Sequence, residues 1–319
     1  MSRQTMQAIR VHHYGSPDSL QLELIPRPEP QAGEVLVLVH AVGVLPIEWK
    51  VRQGLFKGFF PVSFPYIPGS AVAGVIEEVG PGVTQFEVGQ AVFGRSNKGA
   101  YAEYTTIAQE NLGLKPDALS FEQAATISGG ATVAWTALFE NAALQADQRI
   151  LIHGAAGGVG SFAVQFAVRK GARVIGTASS ANEAFVRSLG AETVIDYTSM
   201  PFEHVVRDVD VVLDTIGGET TRRSMQIVKP GGIVVSLLEQ PPQDLAKALD
   251  IRAMKNTAAL PFPSTNLLQT IAQLIIEGQI KATIMQTFPL YQADQAHTLS
   301  QQGHGRGRIV LHVTPPGRS

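Results

Sequence analysis

The sequence predicts an α/β protein with a strand-rich first third and a doubly wound parallel sheet after it. Three observations carry that expectation. The apolar bursts before residue 120 are short, β-branched and separated by Gly/Pro punctuation. From about Phe121 onward, fully apolar strand-like runs alternate with helical ones, the pattern of repeated βα units. At 319 residues the chain is also too long for one ordinary core, so two domains are expected.

The strand-rich part is typified by "VLVLV" (Val35–Val39) and "AVAGVIEEVG" (Ala71–Gly80), set between turn segments such as "PRPEPQAGE" and "GPGV". Ten of the nineteen prolines lie in the first 120 residues, which argues against long helices there. His12 and His13 are adjacent in what reads as a strand, so they should face opposite sides. In "SFEQAATISGGATVAWTALFENAAL" the periodicity turns helical, and Ser120 with Gln123 forms a capping box. Strands then alternate with helices: "RILIHG", "ARVIGTA", "ETVIDY", "DVVLDTIGG" and "GGIVVSLL" are the strand runs, and "NEAFVRSLG" is one of the helices between. After about Leu260 come one helix, "NLLQTIAQLIIEGQ", and a closing strand, "GRIVLHV". No internal repeat or low-complexity segment interrupts the pattern.

Composition removes several classes of function. The chain is 45% hydrophobic and 16% charged, a balance that folds rather than staying disordered. A formal net charge of −2 offers no electrostatic footprint for nucleic acid or an anionic membrane. The N-terminal "MSRQTMQAIR" lacks the apolar core of a signal peptide, and the longest apolar stretch, Val35 to Leu45, is broken by His40 and is too short for a bilayer. A soluble, cytoplasmic protein is expected. Cysteine is absent, which excludes disulfides, thiolate nucleophiles and cysteine zinc sites. No HExxH or close His/carboxylate pair offers a metal site, and His304 in "QGHGRGR" reads as a surface or singly hydrogen-bonded histidine.

The most informative stretch is "ILIHGAAGGVGSFAVQFA", Ile150 to Ala167. Ala155-Ala156-Gly157-Gly158-Val159-Gly160 fits the dinucleotide fingerprint G-x-G-x-x-G with alanine first, after a strand and before a helix. Gly157 then allows a pyrophosphate to approach the backbone at a helix N-terminus, and Gly160 permits close helix–strand packing. The competing reading is a tight βα turn that needs only small residues. The position that separates NAD from NADP lies about twenty residues on, in "GTASSANEAF". No carboxylate stands between Thr177 and Ala181 to hold a ribose diol, so the serines favour NADPH, with NADH as the alternative.

With these motifs in view, the chain resembles the zinc-independent quinone oxidoreductase-like members of the medium-chain dehydrogenase/reductase superfamily. The resemblance is carried by "AIRVHHYGSPDSLQLELIPRPEPQAGEVLVLVHAVGV", "YIPGSAVAGVIEEVG", "GAYAEYTTI", "LSFEQAATI", the glycine stretch, "SLGAETVIDY", "DVVLDTIGGE" and "GRGRIVL". It implies a GroES-like β-rich substrate domain from residues 1–121, a Rossmann dinucleotide-binding domain from 122–260, and a return to the substrate domain over 261–319. Zinc-dependent relatives carry a cysteine ligand and Gly-His-Glu where this chain has Gly69-Ser70-Ala71, so no catalytic metal is implied.

The resemblance also implies site residues. Cofactor contacts are expected at Ala156, Gly157, Gly158, Val159 and Gly160, at Thr177, Ser179, Ser180 and Tyr197, and at Thr132, Thr215, Ile216, Ser236 and Arg308. Departures from the family pattern are visible. The usual "NPxDWK" reads Leu45-Pro46-Ile47-Glu48-Trp49-Lys50, so an asparagine amide has become apolar. A Thr-Ala-Trp helix start reads Val133-Ala134-Trp135, with Thr132 one position early and turned about 100° round the helix. Relatives often place a cation beyond the second strand for the 2′-phosphate; Ala181 and Glu183 stand there. The implied activity is hydride transfer from NADPH to quinones or α,β-unsaturated carbonyls, with Lys50 as the catalytic cation beside the developing oxyanion. The competing role for Lys50 is a solvated or salt-bridged surface lysine beside Glu48. Tyr66 and Tyr101 are candidate proton donors or else packing residues. A small-molecule substrate and a homodimer are expected. The alternatives are an enoyl-thioester reductase, for which no basic carrier-binding run is visible, and a non-enzymatic NADPH-binding sensor or structural protein.

Overall fold

The computed structural model describes residues 5–58, 61–256 and 262–313. It opens with β1 (Thr5–Arg10) and β2 (Gln21–Pro26), an antiparallel pair. β3 (Glu34–Val44) leads into a short helix, α1 (Pro46–Arg52), started by Pro46. β4 (Ala71–Val79), β5 (Ala91–Arg95), β6 (Tyr104–Ala108) and β7 (Leu112–Leu114) follow, as the Gly/Pro punctuation predicts. β3 pairs with both β4 and β6, and its residues are almost all buried. His12 and His13 depart from expectation: β1 ends at Arg10, so neither belongs to a strand. His12 pairs with Glu23 and His13 reaches the carbonyl of Tyr14.

The capping box is present. Ser120 Oγ accepts from the Gln123 N–H at 3.1 Å, and Gln123 Oε1 accepts from the Ser120 N–H at 3.0 Å. The helical stretch it starts is α2 (Phe121–Thr126), a π turn (Ile127–Ala131), α3 (Thr132–Trp135) and a second π turn (Thr136–Asn141). Widened turns of this kind frequently mark functional sites, and Gly129 and Gly130 lie in the first.

Six parallel strands come next: β8 (Arg149–Ile152), β9 (Arg173–Ala178), β10 (Thr193–Asp196), β11 (Val209–Asp214), β12 (Val228–Ser236) and β13 (Arg252–Lys255). Their spatial order is β10-β9-β8-β11-β12-β13, the Rossmann order 3-2-1-4-5-6. α4 (Gly160–Arg169), α5 (Ser180–Ser188), α6 (Glu219–Met225) and α7 (Gln243–Ala248) connect them. Neighbouring residues of β8 serve opposite faces: Ile150 and Ile152 pack with Phe162 and Phe166 of α4, while Leu151 packs with Val212, Phe202 and Met225. Burial of both faces explains the apolar runs Ile150–Ile152, Val211–Leu213 and Ile233–Val235 of the central strands.

α8 (Thr265–Ile276) then leads to β14 (Ile284–Pro289), α9 (Ala293–Gln302) and β15 (Arg308–His312). β15 pairs antiparallel with β3, so the last of the described strands completes a first sheet of seven described strands. The buried face of α8 (Leu268, Ile271 and Ala272) lies in the same core as Ile150 and Phe162. One continuous core therefore joins elements of the two sheets. The expected division at 260/261 falls outside the described residues.

Candidate active site

A cavity of about 1290 Å³ runs between the two sheets, bordered by the glycine loop on one side and α1 on the other. It is larger than an ordinary pocket for a single small molecule, which spans roughly 300–1000 Å³. It also lies where β8 and β11 lead to opposite flanks of the parallel sheet, the switch point at which open α/β sheets bind ligands.

The glycines of the loop have different jobs. A Cβ at Gly160 would run into the Gly154 carbonyl and come within 2.8 Å of Ala155 Cα, so this glycine permits α4 to pack against the loop. A Cβ at Gly158 would meet the Arg308 guanidinium carbon at 2.5 Å. Gly157 is different, because its missing side chain faces only the Gly154 oxygen at 3.3 Å and leaves an open wall. α4 begins beyond it with no side-chain cap on its first turn. Free N–H groups and the positive end of the helix dipole therefore face the cavity, which is the chemistry a pyrophosphate requires.

At the carboxyl end of β9, Thr177 Oγ1 lies 3.2 Å from His153 Nδ1, and burial pushes the pKa of His153 down to about 4. Ser179 precedes α5 on the cavity wall. Tyr197 stands opposite, its hydroxyl 2.9 Å from His304 Nδ1. Sequence reading finds no cation at this turn, yet the tertiary structure brings one. Arg306 donates from Nε to Asn182 Oδ1 at 2.7 Å and from Nη2 to the Ala181 carbonyl, with its guanidinium over Phe185. It comes from "HGRGR", more than a hundred residues downstream, so no local signal connects it to the turn.

On the α1 side, Glu48 is buried rather than paired with Lys50. Its carboxylate accepts from the N–H groups of Leu45 (2.9 Å) and Ser70 (3.0 Å) and from the Tyr101 hydroxyl (2.7 Å). The chain of donors continues inward. Arg52 Nε, which can only donate, meets His297 Nδ1 at 3.3 Å, leaving the proton on Nε2 to face the Tyr101 oxygen at 3.1 Å. Burial pushes Glu48 up to about 7 and His297 down to about 3. Tyr101 is thus committed to Glu48 and His297 and does not line the cavity, whereas Tyr66 does. Leu45 fills the space above Gly129, where a Cβ would meet its methyl at 2.6 Å. Among the described residues no group of three or more His, Cys, Asp or Glu is placed to hold a metal ion. In the Gly69-Ser70-Ala71 stretch, Gly69 has a left-handed φ of +90° and packs on the Tyr101 ring.

Of the residues singled out from the sequence, the structure brings Lys50, Ala156, Gly157, Gly158, Val159, Gly160, Thr177, Ser179, Tyr197, Thr215, Ile216 and Arg308 to this one cavity. Three others lie off its wall. Thr132 is buried and donates to the Ser128 carbonyl, because its position faces into the helix packing. Ser236 is buried at the end of β12, its hydroxyl facing the N–H groups of Leu238 and Glu239. Ser180 is exposed on the first turn of α5. Lys50 is half-buried beside Trp49, and burial lowers its pKa. Arg308 is buried beneath the loop and donates from Nη2 to the Gly129 carbonyl at 3.0 Å.

Two outcomes follow. Gly160→Ala should cost about 1–3 kcal/mol through overpacking against backbone, and Gly157→Ala well under that, compared by urea unfolding. Equal costs would make both glycines packing residues only. The second concerns pH. Glu48 is raised when folded, so between about 4.5 and 7 it holds a proton the unfolded chain has lost, and its contribution falls as pH rises. His153 and His297 are depressed, so below their unfolded value of 6.5 their contribution falls as pH drops. Glu48→Gln should therefore make stability rise more steeply with pH between 4.5 and 6.5, by up to about 1.4 kcal/mol per pH unit. Unchanged slopes in urea titrations would contradict the buried, proton-holding carboxyl.

The comparisons agree with this geometry. Residues 31–117 match the alcohol dehydrogenase GroES-like domain family, and residues 189–311 match the zinc-binding dehydrogenase family. The quinone oxidoreductase of Mus musculus is 33% identical, with the alignment covering 96% of this chain and 97% of its own. The solved quinone oxidoreductase from Coxiella burnetii superposes with a TM-score of 0.90 at 32% identity, covering 98% of this chain and 100% of that one. The Escherichia coli quinone oxidoreductase complexed with NADPH gives a TM-score of 0.87 at 26% identity, covering 96% and 99%. Similarity along nearly the whole length, joined to the parallel-sheet order and the glycine loop, shows that the chain belongs to the zinc-independent quinone oxidoreductase-like branch of the medium-chain dehydrogenase/reductase superfamily.

Proposed function

We propose that this chain is an NADPH-dependent reductase of quinones and other conjugated carbonyl compounds. The observation that carries the reading is that the open face of Gly157, the uncapped start of α4 and the half-buried Lys50 line one apolar cleft. The residues fit a dinucleotide. The pyrophosphate would lie on the N–H groups of the Gly157–Gly160 loop, with the buried Arg308 below to balance its charge. The 2′-phosphate would lie by Ser179 and Tyr197, with Arg306 fastened to the same turn as the cation that Ala181 and Glu183 do not supply. Thr215 and Ile216, at the end of β11, would border the cofactor's other side. Bound NADPH supplies the hydride. In the two-electron reaction, quinone, NADPH and a solvent proton give hydroquinone and NADP⁺. Lys50 stabilises charge on the substrate oxygen, a contribution strengthened where water is excluded. The proposal includes the domain division at 121/122 and 260/261.

We further propose a cytoplasmic homodimer. No described helix is long and apolar enough to cross a membrane, and β13 stands at one edge of the parallel sheet, the side on which a second copy would pair in place of the Gln240 and Gln243 side chains. Sedimentation velocity giving only the mass of one chain would refute the dimer.

Steady-state assays with NADPH and NADH against 1,4-naphthoquinone and simple enones test the activity; turnover of none of them overturns it. NADPH should bind more tightly than NADH. Arg306→Gln should reduce that preference about tenfold by removing a charge-assisted contact, and an unaltered ratio of the two dissociation constants would remove Arg306 from the 2′-phosphate site.

A further inference from the structure

We propose that the substrate end of this cleft is built for an anionic conjugated carbonyl compound, a quinone or enone bearing a carboxylate or sulfonate, and that Arg95 holds the anionic group. The inference rests on the reductase reading above and narrows its substrate class.

The first support is an excess of donors. Among the described residues, the buried side-chain polar atoms without a hydrogen-bond partner are Trp49 Nε1, Arg52 Nη2, Tyr66 Oη, Arg95 Nε and Arg308 Nε. All five are donor atoms, and four of the five residues line the cavity. A buried donor left unpaired costs roughly 1–3 kcal/mol, and more when it is charged. A deficit concentrated around one cavity calls for an acceptor-rich ligand.

The second support is charge. The described lining residues include five cations, Lys50, Arg95, Arg223, Lys255 and Arg308, against one carboxylate, Glu48. Arg223 is answered by Glu203, and Arg308 lies under the glycine loop. Glu48 cannot answer Arg95 directly, because Leu45, Ser70 and Tyr101 already occupy its oxygens. Arg95 reaches it only through Ser70, whose hydroxyl accepts from Arg95 Nη2 at 3.4 Å and donates to Glu48 at 3.4 Å.

The third support is position. Arg95 is the last residue of β5, where the strand ends at the cavity, and its guanidinium lies 5.2 Å from the centre of the Phe262 ring. A planar, apolar-flanked guanidinium with free donors presents a fork to a carboxylate or sulfonate, which a lysine would not. Lys50 is left for the carbonyl oxygen that gains charge during reduction.

The test compares kcat/KM for 1,4-naphthoquinone and 1,4-naphthoquinone-2-sulfonate at saturating NADPH and fixed ionic strength. Because the sulfonate also makes the ring more electron-poor, the readout is how the anionic-to-neutral ratio changes on substitution. Arg95→Gln should lower that ratio about tenfold, mostly through KM for the sulfonate, and Arg95→Lys should restore part of it. NADPH binding, followed by fluorescence, confirms that each variant is folded; if Arg95→Gln fails there, Arg95→Lys decides, with a ratio at least threefold below wild type expected. Unchanged ratios in the folded variants, with both quinones still reduced, overturn the inference and leave the reductase reading standing. If the wild type reduces neither quinone, the reductase reading fails. Calorimetric binding of the sulfonate to wild type and variant then decides the inference, and equal affinities overturn it.

Discussion

The passage of one arginine beneath one glycine holds the two halves of the cleft in register. Arg308 begins the last strand of the first sheet, yet its guanidinium lies under Gly158 of the nucleotide loop and donates to the Gly129 carbonyl in the π turn. Next to it the Gly307 N–H donates to the Ala156 carbonyl at 2.8 Å, so backbone as well as side chain crosses from one sheet to the other. The contact leaves no room for side chains on its neighbours. A Cβ at Gly130 would meet the Gly158 carbonyl at 2.6 Å and Arg308 Nη2 at 3.0 Å. Two glycines, Gly158 and Gly130, thus make room for one buried cation. Burial brings its pKa down to about 10, which still leaves it charged at neutral pH beneath the loop where an anion is required.

A second buried network fixes the opposite wall. Arg52, His297, Tyr101 and Glu48 form a directional hydrogen-bond chain. The direction follows from arginine's inability to accept. Glu48 ends the chain by tying the start of α1 to Ser70, so the helix carrying Trp49 and Lys50 is held against the residues that open β4. Removing one partner would strand a charge in a low-dielectric interior, where the penalty exceeds the worth of the bond itself.

Between these anchors the cleft divides its chemistry. The parallel sheet contributes backbone N–H groups and an uncapped helix end, which suit phosphate and carry no side-chain specificity. The first sheet contributes cations and aromatic surface, which suit an electron-poor ring that gains negative charge. The shared core through α8 and β15 keeps both at one distance.

Local pattern was enough for the architecture and for the phosphate-facing loop. Periodicities near two and 3.6 residues, the Ser120–Gln123 cap and the spacing around Gly157 are short-range properties, set by backbone sterics and by which faces meet the core. The return of the tail to the first sheet came from family resemblance, because strand pairing between β3 and β15 spans most of the chain and leaves no local periodic trace. Tertiary structure alone decided the rest. Sequence left Lys50 either beside the substrate oxygen or at the surface beside Glu48; a two-residue step on α1 keeps the two apart, with Glu48 in the Tyr101 network and Lys50 at the cavity. Thr132 and Ser236 read as cofactor contacts, but packing turned their hydroxyls to backbone groups. Arg306 and Arg95 gave no signal in the sequence, because a cation's role depends on which distant turn or strand end its long side chain reaches. A chain encodes its elements through neighbours a few residues away; it encodes the charge balance of a site only through contacts that folding makes.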